Sequence, residues 1–91
     1  MSDAIRRRLK VRGAVQGVFF RDSVRRLAAE RGVAGSASNR EDGAVEVVLE
    51  GSPKQVEELI AFCRLGPEYA RVEAVDVADE EPEGLSGFRI S

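Results

Sequence analysis

Two hydrophobic periods take turns along the chain. Ile5, Leu9 and Val11 alternate with Arg8, Lys10 and Arg12, the period of two expected of a half-buried strand with one charged face. Two glycines, Gly13 and Gly17, interrupt it. The period then lengthens: Phe20, Val24, Leu27 and Ala28 share one face of a helix, with Arg31 in its last turn and Gly32 as the residue that ends it. Gly35 to Asn39 reads as a short strand. Arg40-Glu41-Asp42-Gly43 supplies Asp-Gly turn chemistry, and Val45, Val47 and Leu49 alternate with Glu46 and Glu50 to complete a hairpin. Ser52 caps a second helix, with Pro53 in its first position and Gln55 completing a capping box; Val56, Leu59, Ile60 and Cys63 form its apolar stripe, and Gly66-Pro67 stops it. Val75 and Val77 mark a fourth strand, with Val72 out of phase at its start. Gly87-Phe88-Arg89-Ile90 follows the loop at Pro82-Glu83-Gly84 as a short last strand.

The order is βαββαβ plus one short strand, the split βαβ arrangement of an α+β, ferredoxin-like sandwich. It predicts one domain over residues 1–91, with two helices on one face of an antiparallel sheet and the other face open. Basic residues of the first strand and acidic residues of the third are placed to face each other across that open face. Such a fold hosts many activities, so function has to be read from particular residues.

Composition removes several function classes. The 91 residues carry a formal charge of -2, so the run Arg6-Arg7-Arg8 reads as a solvated sheet face and not as a nucleic-acid patch. With no histidine and one cysteine, a zinc site or a histidine-based triad is excluded. The lone Cys63 leaves no intramolecular disulfide and fits a reducing compartment. No stretch has the length of a signal-peptide core or a membrane span. The expectation is a cytoplasmic monomer without cofactor, metal, nucleic-acid or membrane partner.

The informative segment is Gly13 to Arg21. A strand enters a glycine loop, and the loop enters a helix N-terminus. Loop amides can converge on an anion, and the helix dipole favours negative charge at the same place. Gly17 turns without a Cβ clash. Arg21 is a cation at the positive end of a helix, a poor structural choice unless an anion lies between, and arginine grips phosphate with two parallel hydrogen bonds. The loop lacks the Gly-Lys-Ser/Thr ending of a nucleotide P-loop. The competing reading is a plain glycine turn followed by a surface arginine.

Gly13-Ala14-Val15-Gln16-Gly17-Val18-Phe19-Phe20-Arg21 resembles the first signature of the acylphosphatase family, G-x-V-Q-G-V-x-F-R, at every fixed position. Gly35-Ser36-Ala37-Ser38-Asn39, followed by Asp42-Gly43 and Val45, is similar to the second. Gly66 to Val72 and the ending Gly87-Phe88-Arg89-Ile90 extend the resemblance over almost the whole chain. It implies a ferredoxin-like fold and hydrolysis of small acyl phosphates. It also implies a phosphate loop over Val15, Gln16, Gly17, Val18, Phe19 and Phe20, a phosphate-binding arginine at Arg21 and a catalytic asparagine at Asn39. Three positions depart from the common pattern: Ser36 where an aromatic is frequent, Ser38 where a basic residue is frequent, and Val24 where a threonine often stands.

The chemistry fits these residue types. An acyl phosphate has a weakly basic leaving group, so positioning and charge stabilisation suffice for in-line displacement. Arg21 and loop amides would hold the phosphate, and the Asn39 carboxamide would orient water. Alone, Asn39 would read as a turn residue ahead of Asp-Gly. Three alternatives stand beside this one: a non-catalytic anion-binding regulatory domain, an RNA-binding module of the same topology, and a domain of a larger maturation enzyme. Cys63 and Phe20 read as core, Phe88 and Ile90 as closing the sheet edge, Glu57 and Glu58 as a solvated helix face, and Asp79, Glu80, Glu81 and Glu83 as a solvated acidic loop. A main-chain carboxylate at the end of the chain is a candidate partner for Arg21.

Overall fold

The computed structural model describes residues 3–91; Met1 and Ser2, which the expected domain over residues 1–91 includes, lie outside the described residues. Strands β1 (Ile5–Ala14), β2 (Ala34–Asn39), β3 (Val45–Gly51), β4 (Arg71–Glu80) and β5 (Phe88–Ile90) form one sheet in the order β4-β1-β3-β2-β5. Helix α1 (Phe20–Arg31) packs on β2 and β5, and α2 (Pro53–Leu65) packs on β1, β3 and β4. Leu9, Val11, Ala37, Val45, Val47 and Leu49 point from the sheet into a core closed by Phe20, Val24, Ala28, Val56, Leu59 and Cys63. The two helical stripes and the strand alternation therefore meet in one apolar layer, as the periods predict.

Five details differ from the sequence reading. β2 begins one residue earlier, at Ala34. The sheet is mixed, because β5 pairs parallel with β2, in the register Gly35↔Phe88 to Ala37↔Ile90. Glu73 is an extra residue on β4, with Arg12 opposite Ala74 and Gly13 opposite Val72. This bulge returns Val72 to the core face and accounts for its broken phase. Gly13 also belongs to β1 and not to the loop: a Cβ there would stand 2.1 Å from the Arg71 carbonyl oxygen, so the bulge needs glycine. Finally, Ser52 Oγ accepts from the Gln55 amide at 3.4 Å, but Gln55 Oε1 is buried without a partner, so only half of the capping box forms.

The open face is not uniformly solvated. The segment from 81 to 87 crosses one end of it, and the amides of Glu83, Gly84 and Leu85 donate to the Glu50 carboxylate at 2.9, 2.7 and 2.9 Å. Beneath this crossing Arg6 and Glu50 are buried and paired at 3.2 Å, and Arg6 Nε donates to Glu80 at 2.8 Å. Arg8 joins Glu80 at 2.6 Å and Glu46 at 2.8 Å. The basic first strand thus faces the acidic third as expected, but Arg6 is a buried member of a network and not a solvated charge. Asp79 and Glu80 likewise belong to β4 and not to a loop, since Arg7 and the Arg6–Arg8 pair hold them against β1. Hydrogen bonds from Arg8 first, then Arg6, hold the Glu80 carboxyl down at about 2. Burial pushes Glu50 up, but the Glu83 and Leu85 amides, Arg6 and the Gly84 amide together bring it below the ordinary carboxylate value.

Candidate active site

Strand direction collects the candidate residues at one end of the sheet. β3 runs antiparallel to both β1 and β2, so β1 and β2 run the same way, and β5 runs with β2. Their C-terminal ends deliver the loop after Ala14, Asn39 and Ser91 to a common edge. Because β1 leads directly into α1, the N-terminus of α1 opens at that edge too.

The loop ends in two left-handed residues. Gly17 has φ 74° without cost, whereas Phe19 has φ 60° and ψ 25°, a conformation that strains a side-chain-bearing residue by about 1 kcal/mol. Phe19 is the N-cap of α1, and no side chain caps the helix. Ser23 is bonded back to the Phe19 carbonyl at 3.0 Å, which leaves the amides of the first turn, Phe20 to Asp22, directed out of the helix end. A cleft of about 230 Å³ lies at this spot, lined by Val15, Gly17, Phe19, Phe20, Arg21, Asp22 and Ile90.

The expected phosphate-binding residues divide. Val15, Gly17, Phe19, Phe20 and Arg21 line the cleft; Gln16 and Val18 do not. Val15 and Phe20 are buried by their side chains, so only their main chain is available to a ligand. Val18 packs partly against the core. The Gln16 carboxamide turns away from the cleft and donates to the carbonyls of Arg40 and Ala44 at 2.8 and 2.9 Å. It ties the loop to the β2–β3 turn immediately after Asn39. That turn is closed by Arg40 donating to Ala44 at 2.8 Å and by the Asp42 carboxylate accepting from the Ala44 amide at 3.0 Å. Lys10 pairs with Asp42 at 2.7 Å and, with the Ala44 amide, lowers its carboxyl value.

Arg21 Nη1 donates to the main-chain oxygen of Ser91 at 2.8 Å. Ser91 in turn donates its amide to the Ala37 carbonyl at 3.0 Å, two residues before Asn39. Among the described residues no Asp or Glu side chain pairs with Arg21; the neighbouring Asp22 is engaged by Arg25 and Arg26 instead, which lower its carboxyl value. Asn39 is exposed at the end of β2 and borders an adjoining depression with Lys10, Arg40, Glu41 and Asp42, not the cleft that holds Arg21. The two expected catalytic residues therefore stand at one end of the sheet, joined through Gln16 on one side and Ser91 on the other.

The departures from the common pattern do not line the cleft. Val24 is fully buried between α1 and the sheet, while Ser36 and Ser38 are half-buried on the far face of β2. Sequence reasoning missed the tether made by Gln16 and the place of Ile90 in the cleft wall, and no local signal marks either. Among the described residues, no group of three or more His, Cys, Asp or Glu side chains gathers as a metal site would, and no helix is long and apolar enough to cross a membrane.

Known proteins are similar to this chain in sequence and fold. The family model described as Acylphosphatase matches residues 7–90. An acylphosphatase of Natronomonas pharaonis is 47% identical over 90 residues, covering 99% of this chain and 98% of the relative. One of Thermococcus kodakarensis is 50% identical over 86 residues, covering 94% of each. The crystal structure of acylphosphatase from Bacillus subtilis superposes with a TM-score of 0.92 at 33% identity, covering 96% of this chain and 98% of that one. With the family model matched over residues 7–90, these relatives similar over nearly the full length and the fold in agreement, the chain belongs to the acylphosphatase family.

Proposed function

We propose that the chain carries out its family's reaction, hydrolysis of the carboxyl–phosphate bond of acyl phosphates to carboxylate and inorganic phosphate, with the groups gathered at the sheet end in distinct roles. Main-chain amides of the loop and of the first turn of α1 receive the phosphate oxygens. Arg21 supplies the positive charge, which matters most as negative charge accumulates in the transition state. Asn39 orients the attacking water, its carboxamide oxygen accepting a hydrogen bond from the water while its nitrogen donates to substrate. Asn39 is not a base, so the water's proton passes to a phosphate oxygen as the P–O bond to the leaving carboxylate breaks. The Gln16 side chain holds the loop against the turn that follows Asn39 and so positions the loop amides.

The observation that carries this reading is Arg21 itself: a cation at the uncapped N-terminus of a helix, facing a cleft, with no carboxylate side chain among the described residues to neutralise it. The test is hydrolysis of benzoyl phosphate in chelator-treated buffer, followed by loss of its ultraviolet absorbance. Wild type is compared with Arg21→Gln and Asn39→Ala. Turnover that collapses in both variants supports the roles. A rate profile with a sharp bell between pH 5 and 8 would point to a titrating protein base and against the proton route.

The placement of Asn39 beside the adjoining depression favours one second reading, an anion-binding domain that seats phosphate without turnover. Phosphate binding by a wild type that hydrolyses nothing would select it.

A further inference from the structure

Glu50 stands at the opposite end of β3 from the active edge, yet its hydrogen bonds lead there. Its carboxylate is buried and accepts three consecutive amides, from Glu83, Gly84 and Leu85, while Arg6 pairs with it at 3.2 Å. These bonds hold the crossing segment from β4 to the far edge of the sheet. From there the chain has only to pass Ser86 and Gly87 to enter β5. The Gly87 carbonyl accepts the Gly35 amide at 3.0 Å, β5 pairs with β2, the Ser91 amide docks on Ala37, and the Ser91 oxygen receives Arg21. β5 has three residues and is exposed along most of its length. A strand so short cannot fix its own position by its ladder alone, so its anchor has to come from the segment before it.

We propose that Glu50 is a positioning residue for the phosphate site: by clamping residues 83–85 it fixes where β5 docks, and through Ser91 it fixes the Arg21 guanidinium in the cleft. The proposal rests on Arg21 being the cation that binds phosphate. Without the clamp the guanidinium loses its main-chain partner and samples orientations that do not meet the anion. Substrate or phosphate then has to select the oriented guanidinium from a smaller population, and the bound complex reacts as before, so KM and the inhibition constant of inorganic phosphate rise while kcat holds.

A purely structural role predicts something different. If Glu50 only stabilised the fold, its loss would lower the active fraction and hence apparent kcat, and would leave KM and phosphate affinity where they are. Two variants and a control separate these. Glu50→Gln weakens the clamp directly. Gly84→Ala loosens it from the loop side: Gly84 has φ 76°, and an added Cβ meets nothing within 4 Å, so the cost is backbone strain with Glu50 and Arg6 untouched. Glu46→Gln removes another carboxylate of the same face, the partner of Arg8, without touching the crossing. The expected result is a rise of about three- to tenfold in the phosphate inhibition constant and in KM for Glu50→Gln and Gly84→Ala, with kcat within about twofold, and no such rise for Glu46→Gln. Unchanged phosphate affinity in Glu50→Gln and Gly84→Ala, or the same rise in all three, overturns the proposal. Calorimetric titration with inorganic phosphate reads the same constants without turnover, so a wild type that binds but does not hydrolyse refutes the proposed reaction and still tests the clamp.

Discussion

Arg6 and Arg21 are the same side chain put to opposite uses. Arg6 lies under the crossing segment, buried, with Glu50, Glu80 and Glu83 all within reach of its guanidinium. Hydrogen bonding to Glu80 first, opposed by burial and helped by Glu50, raises its already high value. Arg21 stands at a helix N-terminus beside an open cleft, held by the main-chain oxygen of Ser91 and, among the described residues, by no carboxylate side chain. One end of the molecule surrounds an arginine with carboxylate side chains; among the described residues the other end offers it none. A satisfied cation has nothing left to offer a ligand, and an unsatisfied one at the positive end of a helix costs stability until an anion arrives. The contrast teaches that the number of carboxylates around a cation separates a structural arginine from a binding one, whichever strand or helix carries it.

The sharpest way to break this contrast is to neutralise each arginine. Arg21→Gln is expected to cut kcat/KM for benzoyl phosphate by about a thousandfold or more, in line with losing a transition-state donor, while thermal unfolding moves little or slightly upward. Arg6→Gln is expected to leave Glu50 buried against an uncharged partner and to destabilise the fold by about 3 kcal/mol, read by urea unfolding. An Arg6 variant that melts normally but fails to turn over, or an Arg21 variant that unfolds, would reverse the assignment. Acid provides a gentler probe. Glu80 and Glu50 are both held below their ordinary values in the folded state, so their contribution is full above the unfolded value near 4.5 and is lost as pH falls toward the folded values. For Glu80 that window runs from about 4.5 down to about 2. The melting temperature should therefore drop across it, and less so in Glu80→Gln. The smallest effect belongs to the loop: Phe19→Gly relieves the left-handed strain and should raise the melting temperature by a few degrees, equivalent to about 1 kcal/mol.

Most of the fold was legible because burial follows period. The stripe of Val56, Leu59, Ile60 and Cys63, the alternation of Val45, Val47 and Leu49, and the Gly32 end of α1 are local patterns, and each appears where expected. What escaped reading depends on partners far along the chain. Arg6 is buried because residues 81–87 cross over it, and no pattern around residue 6 carries that information. The parallel pairing of β5 follows from the same crossing. Within the site, Arg21 and the loop were legible from the electrostatics of a helix start, and Asn39 gained its meaning from the motif alone. The reach of the Gln16 carboxamide to Arg40 and Ala44 was not legible, because it depends on partners 24 to 28 residues away in sequence.

Cys63 gives the molecule a clock for its own opening. The thiol is fully buried on the core side of α2, and burial pushes it up to about 12, so in the closed protein there is neither access for a reagent nor thiolate to react. It is the only cysteine in the chain. Any labelling by an alkylating reagent therefore counts moments at which α2 has lifted from the sheet, and labelling rates across the variants above would rank their opening free energies without an engineered probe.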